Sequence, residues 1–136
     1  MPFAYTILPA LRLLCIRARG VVTQPERIQA MNAWLADPSY ADCDDALCDF
    51  SESESTPTMA ELRELVGIMA QRLPRRGPGK LAIVTSKPIT FVVAEEFSAF
   101  VKQAAVPLNV RVFADFDSAW KWLRPEKSPE RGEVQA

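Results

Sequence analysis

The sequence LNVRVFADFDSAWKWL, residues 108–123, predicts a β-strand followed closely by a short helix. Pro107 precedes the run, and the strand is predicted over residues 108–113. Asp115 or Asp117 is suited to cap the helix, because an aspartate side chain accepts a bond from an otherwise unpaired backbone N–H group. One strongly apolar face follows, formed by Phe116, Ala119, Trp120 and Leu123. We therefore predict that this helix packs on a core despite its short length.

Strands and helices also alternate upstream of this unit. Residues 46–50 and 81–85 are short apolar runs with polar or turn-forming neighbours, which is typical of buried strands. Between them, Thr58 and Glu61 have the spacing of a capping box, in which each side chain bonds a backbone N–H group at the start of a helix. The helices predicted after these two strands cover residues 59–72 and 90–104.

The amino-terminal part predicts a β-hairpin and then a helix. Two β-like runs, residues 3–8 and 11–18, are separated by a Pro-Ala pair. Thr23 and Glu26 repeat the capping-box spacing and mark the start of the first helix. Its predicted apolar face consists of Ile28, Met31, Trp34 and Leu35.

The predicted order of elements is therefore ββαβαβαβα, which is an α/β fold. Strands joined by short helical crossovers pair in parallel, whereas the initial hairpin is antiparallel. We predict a mixed, mostly parallel β-sheet covered by helices, in a single domain over residues 1–124. Residues 125–136 contain almost nothing to bury and are predicted to form a flexible tail.

The composition predicts a cytoplasmic protein that binds no nucleic acid. The 136-residue chain is 49% hydrophobic and has a net charge of -1, so it lacks the positive charge that binds phosphate backbones. Residues 37–64 hold nine acids and one arginine, which would repel such a backbone. The three cysteines are an odd number and fit a reducing compartment. No apolar run approaches the roughly 20 residues that span a bilayer, so no membrane span is predicted.

Four segments resemble the STAS and SpoIIAA-like family, in particular its bacterial STAS/SEC14-like branch of unknown function. They are RGVVT at residues 19–23, LADPSYADCDDALCDF at 35–50, LAIVTS at 81–86 and VRVFADFDSAWKWL at 110–123. The last is the most specific, because this branch typically ends in an aromatic residue, an acid, a spacer and an Ala-x-x-Trp-Leu helix. The resemblance covers about residues 5–123 and implies the SpoIIAA-like (STAS-like) fold. Val92 and Glu95 stand where the branch often has a glycine and an arginine.

The resemblance implies a regulatory site after the central strand. In anti-sigma factor antagonists of the wider family, a serine at the start of the next helix is phosphorylated, and the added charge changes partner binding. Helix capping and solvation are the alternative explanation for serine and threonine residues at this position, and they require no phosphorylation switch. The partner-binding or phosphorylation candidates in this serine loop are Ser51, Ser53, Ser55, Thr56 and Thr58.

The resemblance also implies dimers or a small apolar pocket between sheet and helices. The third helix is more broadly apolar than a thin packing seam requires, which indicates a cavity wall or a subunit contact. Simple core packing is the alternative. The ligand-pocket candidates are Phe91, Val92, Phe97 and Phe100.

Residues for catalysis, metal binding or a cofactor do not stand out. The chain has no histidine for a triad, a proton shuttle or a zinc site, and no cysteine has an obvious activating base. Asp44 and Asp45 precede the central strand whereas Asp49 ends it, so they are not expected to share a magnesium ion. No catalytic residue, metal site or cofactor is predicted.

The segment GPGK at residues 77–80 is predicted to be a turn. It follows a helix and precedes a strand, which is the reverse of a phosphate-binding Walker loop. The neighbouring Arg72, Arg75 and Arg76 suit either a solvated turn or weak contact with an acidic partner or anionic lipid.

The leading hypothesis is a non-enzymatic cytoplasmic domain that acts through protein contacts. A regulatory role and a homodimer are expected as part of this hypothesis. The alternative is binding of a small apolar molecule or lipid beside the third helix.

Overall fold

The computed structural model describes residues 2–73 and 79–125, which form a five-stranded sheet with helices on both faces. The strands are β1 Phe3–Leu8, β2 Leu13–Gly20, β3 Asp45–Ser53, β4 Gly79–Val84 and β5 Leu108–Phe113. The helices are α1 Gln24–Ala36, α2 Met59–Arg72, α3 Pro88–Gln103 and α4 Phe116–Leu123. The order ββαβαβαβα predicted from the sequence is confirmed.

The sheet follows chain order from β1 to β5. The hairpin pair β1 and β2 is antiparallel, and every later neighbour is parallel. The mixed, mostly parallel sheet is therefore confirmed. The inner strand β2 is buried on both faces, since its adjacent residues Leu13 and Leu14 contribute to separate core clusters.

Helix α4 covers one face of the sheet. Trp120 and Ala119 are 1% and 0% exposed and belong to the same cluster as Leu13, Leu47 and other residues from β2, β3 and β4. The prediction that this short helix packs on a core is confirmed. Helices α1, α2 and α3 cover the opposite face, where their apolar side chains meet those of alternate strand positions, among them Leu14, Ala46, Leu81 and Ile83.

The side chains that were predicted to cap the helix starts form those caps in the structure. Thr23 with Glu26, and Thr58 with Glu61, each form both bonds of a capping box. Asp115, rather than Asp117, caps α4, because its carboxylate accepts a bond from the backbone N–H of Ser118 at 2.7 Å. These contacts fix where the helices start at one end of the sheet.

The central strand is longer than the predicted residues 46–50. Strand β2 continues to Gly20, and after a register shift between Arg17 and Arg19 it pairs with β3 as far as Ser53. Because the pairing resumes at Glu52 and Ser53, while the backbone N–H of Ser51 donates to the Asp49 carboxylate at 3.0 Å, Ser51 and Ser53 belong to the strand. The prediction that the serine loop begins at residue 51 is therefore wrong, and the connection to α2 covers residues 54–58.

Two other predicted features differ or lie outside the described residues. The hairpin turn is a 3-10 turn, Pro9–Leu11, followed by Arg12 in a left-handed conformation, so β2 starts at Leu13 instead of residue 11. Gly79 and Lys80 belong to β4, whereas the rest of the predicted GPGK turn, together with Arg75 and Arg76, lies outside the described residues. Most of the predicted tail, residues 126–136, lies outside them as well.

Candidate functional site

An apolar cavity of about 210 Å³ lies between the sheet and helices α1, α2 and α3. It runs along β3, because both Asp45 at the beginning of that strand and Ser53 at its end contribute to the lining. The helices contribute a largely hydrocarbon wall that includes Met31, Trp34, Leu62, Leu65, Met69 and Ala94. The surface that it offers is therefore mostly hydrocarbon.

One end of the cavity is polar and contains a buried cation. Arg27, in the first turn of α1, lines the cavity, and its side chain is only 10% exposed. Its guanidinium donates to the carbonyl oxygen of Val22 at 2.9 Å, and to the amide oxygen of Gln24 at 3.3 Å. Burial lowers the pKa of Arg27, an effect that the nearby carboxylate of Glu61 opposes. A positive charge is therefore held at the wall of an otherwise apolar space.

Arg27 forms a loose ion pair with Glu61. The shortest contact between the guanidinium and the Glu61 carboxylate is 3.8 Å, which is an ion pair without a good hydrogen bond. The same carboxylate oxygen accepts the backbone N–H of Thr58 at 2.9 Å in the capping box of α2. Glu61 is thus held by the helix start, and Glu26 is a second carboxylate whose charge acts on Arg27.

Serine and threonine side chains surround Arg27 at this end. Ser55 accepts the backbone N–H of Val22 at 2.7 Å, and it also donates to the carbonyl of Val22 at 3.1 Å. Ser53 is 6% exposed and donates to the carbonyl of Ser55 at 3.0 Å. Thr56 and Thr90 also line this part of the cavity. The serine-rich connection is therefore a wall of the cavity rather than a freely solvated loop.

Charges at the other end of the cavity are already paired. Asp45 accepts the backbone N–H of Lys80 at 2.7 Å, and its second oxygen accepts the guanidinium of Arg124 at 2.7 Å. The ammonium group of Lys80 contacts Trp122 of α4, on the opposite face of the sheet. This end thus offers acceptors and a satisfied ion pair, whereas the Arg27 end offers donors.

The sequence-predicted pocket residues occupy three different places. Phe97 lines the cavity. Phe100 is buried between α2 and α3, where the guanidinium of Arg63 lies 4.9 Å from its ring centre. Phe91 and Val92 are 43% and 56% exposed and do not line the cavity. Sequence reasoning missed the wall residues Thr90, Val93 and Ala94, whose spacing with Phe97 is that of one helix face.

The phosphorylation candidates also differ in accessibility. Ser51 is exposed and donates to the carboxylate of Asp49 at 2.6 Å, and Thr58 is exposed and caps α2. Ser53 is buried, and the hydroxyl group of Ser55 is bonded to Val22. Thr56 is half-buried at the cavity wall. Only Ser51 and Thr58 of the five present an exposed side chain.

The cysteines are packed as apolar residues. Cys15, Cys43 and Cys48 are all buried free thiols. Burial raises the pKa of Cys15 and Cys48 to about 12, so their reactive thiolate forms are strongly disfavoured near neutral pH. Within residues 2–73 and 79–125, no cluster of three or more histidine, cysteine, aspartate or glutamate side chains could hold a metal ion.

The fold and the cavity define a class: a mixed α/β sheet domain with three helices on one face, one on the other, and an apolar interior space under the three. The chain belongs to the SpoIIAA-like family, whose model matches residues 13–124. The resemblance found in the sequence is thereby confirmed. Comparison with curated proteins and with solved structures gave no significant match. In the part of the chain that the structure describes, no helix is both long and apolar enough to cross a membrane.

Proposed function

We propose that this domain binds a small apolar molecule in the cavity beneath α1, α2 and α3. The cavity itself carries this proposal. The space is partly open to solvent, and its walls are mostly hydrocarbon. An apolar ligand bound there removes apolar surface from water, which is favourable by roughly 25 cal/mol per Å².

The exposed apolar side chains support the same function. Val21, Met59, Ile89, Phe91 and Val92 are the large hydrophobic residues that remain exposed in the described part of the chain. All five lie where β2 ends or where α2 and α3 begin, which is the end of the sheet that carries Arg27 and Ser53. An apolar surface beside the polar end of an apolar cavity is suited to receive an apolar ligand from its carrier or from a membrane. Phe91 and Val92 are thus placed at a proposed entrance.

Narrowing the cavity is expected to weaken ligand binding. Ala94 of α3 is 5% exposed and lines the space, so Ala94→Leu adds three carbons to the wall. Displacing about three ligand methylene groups, at roughly 0.8 kcal/mol each, weakens 1-octanol binding by about 2.4 kcal/mol, or roughly sixtyfold. Calorimetric titration of the wild-type and variant proteins measures this change.

The matched control for this variant is Ala99→Leu. Ala99 lies on the same helix but is exposed and does not line the cavity. We expect it to leave octanol affinity unchanged. Equal octanol affinities for wild type and Ala94→Leu, or no octanol binding by the wild type, would contradict the proposed function. Solvent extraction of the purified protein followed by mass spectrometry then identifies any natural apolar ligand.

Protein contact through residues 51–58 is the second candidate function. The observation that favours it is the pair of bonds between Ser55 and Val22, which connects this segment to the polar end of the cavity. A partner bound to the exposed Ser51 and Thr58 would therefore contact a segment that forms the cavity wall. This candidate includes regulation by phosphorylation at either exposed hydroxyl group.

Substitutions of Thr58 separate a regulatory role from helix capping. Thr58→Ala removes the N-cap of α2 and is expected to lower the free energy of unfolding by about 1 kcal/mol. Thr58→Asp keeps a capping oxygen and adds negative charge, so we expect nearly wild-type stability in urea denaturation. If affinity capture with folded Thr58→Asp yields the same partners as the wild type, a charge switch at Thr58 is excluded.

A further inference from the structure

We propose that the ligand is an amphipathic monocarboxylate, with its carboxylate at Arg27 and its alkyl chain in the cavity. This inference rests on the proposed function and specifies its ligand class. A purely apolar ligand would not need an arginine at the cavity wall, and burying that cation is unfavourable unless an anion is near. Arg27 is 10% exposed, and its nearest carboxylate is 3.8 Å away.

The hydrogen bonds around Arg27 leave a place for a carboxylate. The guanidinium has five N–H donors, and among the described residues its hydrogen-bond acceptors are the oxygens of Val22 and Gln24. Glu61 is engaged by the backbone of Thr58. A planar carboxylate matches the paired donors of a guanidinium, and such charge-assisted bonds are stronger than neutral ones.

The charge at this end favours a monoanion. Arg27 is the charged side chain that lines this end, and Glu61 already offsets part of its field. A carboxylate would complete the compensation, whereas a phosphate ester with nearly two negative charges would leave charge buried without a partner. Lys87 donates its ammonium group to the backbone carbonyl of Ser53 and does not line the cavity.

The two ends of the cavity also set the orientation of the ligand. The far end is bordered by Asp44 and by Asp45, whose carboxylate is already paired with Arg124. A second carboxylate there would meet like charge. The carboxylate therefore binds at Arg27, and the alkyl chain extends along β3 past Trp34 and Met69 toward Leu108.

The size of the cavity suggests the length of the probe. The cavity of about 210 Å³ extends along β3 from Asp45 to Ser53, so an alkyl chain of medium length suits it. Octanoate and 1-octanol have the same chain length and differ in charge at one end. Comparing their affinities therefore isolates the contribution of the headgroup.

The test compares these two probes on the wild type and on Arg27→Met by calorimetric titration at neutral pH. We expect the wild type to prefer octanoate over octanol. Arg27→Met is expected to weaken octanoate binding by roughly tenfold to a hundredfold, the range of a charge-assisted hydrogen bond, without weakening octanol binding. The variant leaves the carbonyl of Val22 bonded to Ser55 and the Glu61 carboxylate in its capping box, so we expect it to fold.

The outcomes distinguish this inference from the function on which it rests. Octanol binding with no preference for octanoate, or octanoate binding that Arg27→Met does not weaken, overturns the inference and leaves the proposed function standing. Failure of the wild type to bind 1-octanol overturns the proposed function and, with it, this inference. If Arg27→Met does not fold, Arg27→Lys is used instead: it keeps the charge but loses the paired donors, and must reduce the preference for octanoate without reversing it.

Discussion

Replacing Trp120 with alanine is expected to lower the free energy of unfolding by about 3–5 kcal/mol, the range for removal of a large aromatic side chain from a core. Trp120 is 1% exposed and stacks on Phe116, with ring centres 5.8 Å apart. It is the largest fully buried side chain of the described residues and belongs to the cluster that joins α4 to β2, β3 and β4. Its removal would leave a cavity that one short helix cannot close.

Trp122→Ala is the matched control, because it removes the same side chain two positions away. Trp122 is half-buried: its ring lies 5.6 Å from that of Phe113 at the edge of the core and contacts the charged ends of Lys80 and Arg111. We expect a loss well below that of Trp120→Ala, since exposed cation–π contacts contribute about 0.5–1 kcal/mol. Urea denaturation of both variants measures the difference. Equal losses would show that α4 is not anchored mainly through Trp120.

Gly79→Ala is expected to lower the free energy of unfolding by about 3 kcal/mol, the upper end of the range for overpacking. A Cβ atom at Gly79 would lie 2.4 Å from the backbone carbonyl oxygen of Asp44. Backbone cannot rotate away as a side-chain end can, so β4 or the start of β3 would have to shift. Gly79 is the first residue of β4 and donates its backbone N–H to Pro107 at 3.2 Å, so the shift would also disturb the entry to β5.

The control for this variant is Gly67→Ala, in the exposed part of α2. A Cβ atom there meets nothing within 4 Å, and alanine favours the helix over glycine by about 0.5–1 kcal/mol. The same substitution is thus expected to destabilise one site and stabilise the other. Thermal unfolding of the two variants shows directly which substitution lowers the stability and which one raises it. A stable Gly79→Ala protein would contradict the close approach of β4 to Asp44.

Local sequence signals predicted the order of elements and the helix starts. Thr23, Thr58 and Asp115 act on backbone groups within three residues, so their roles can be inferred without tertiary structure. The apolar runs at residues 46–50 and 81–85 identify buried strands for the same reason. The extension of β3 to Ser53 depends instead on pairing with Gly20, more than thirty residues away, which no local pattern reveals.

The cavity could be anticipated only in part. Family resemblance indicated a space between sheet and helices, and Phe97 was correctly placed on the inner side of α3. Phe91 and Val92 lie only a few residues away but point to the exposed side, because each residue turns the helix by about 100°. Arg27 was missed since a lone arginine in a first helical turn is normally exposed, and its burial results from the packing of α1 against the sheet and α2.

The most direct test of the central claim locates the ligand by its contacts with methionine methyl groups. Met31 and Met69 line the cavity, whereas Met59 is exposed outside it. In protein labelled with ¹³C at the methionine methyl groups, bound 1-octanol is predicted to give intermolecular nuclear Overhauser effects to Met31 and Met69. Effects confined to Met59, or none at saturating octanol, would contradict a ligand-binding cavity between the sheet and helices α1, α2 and α3.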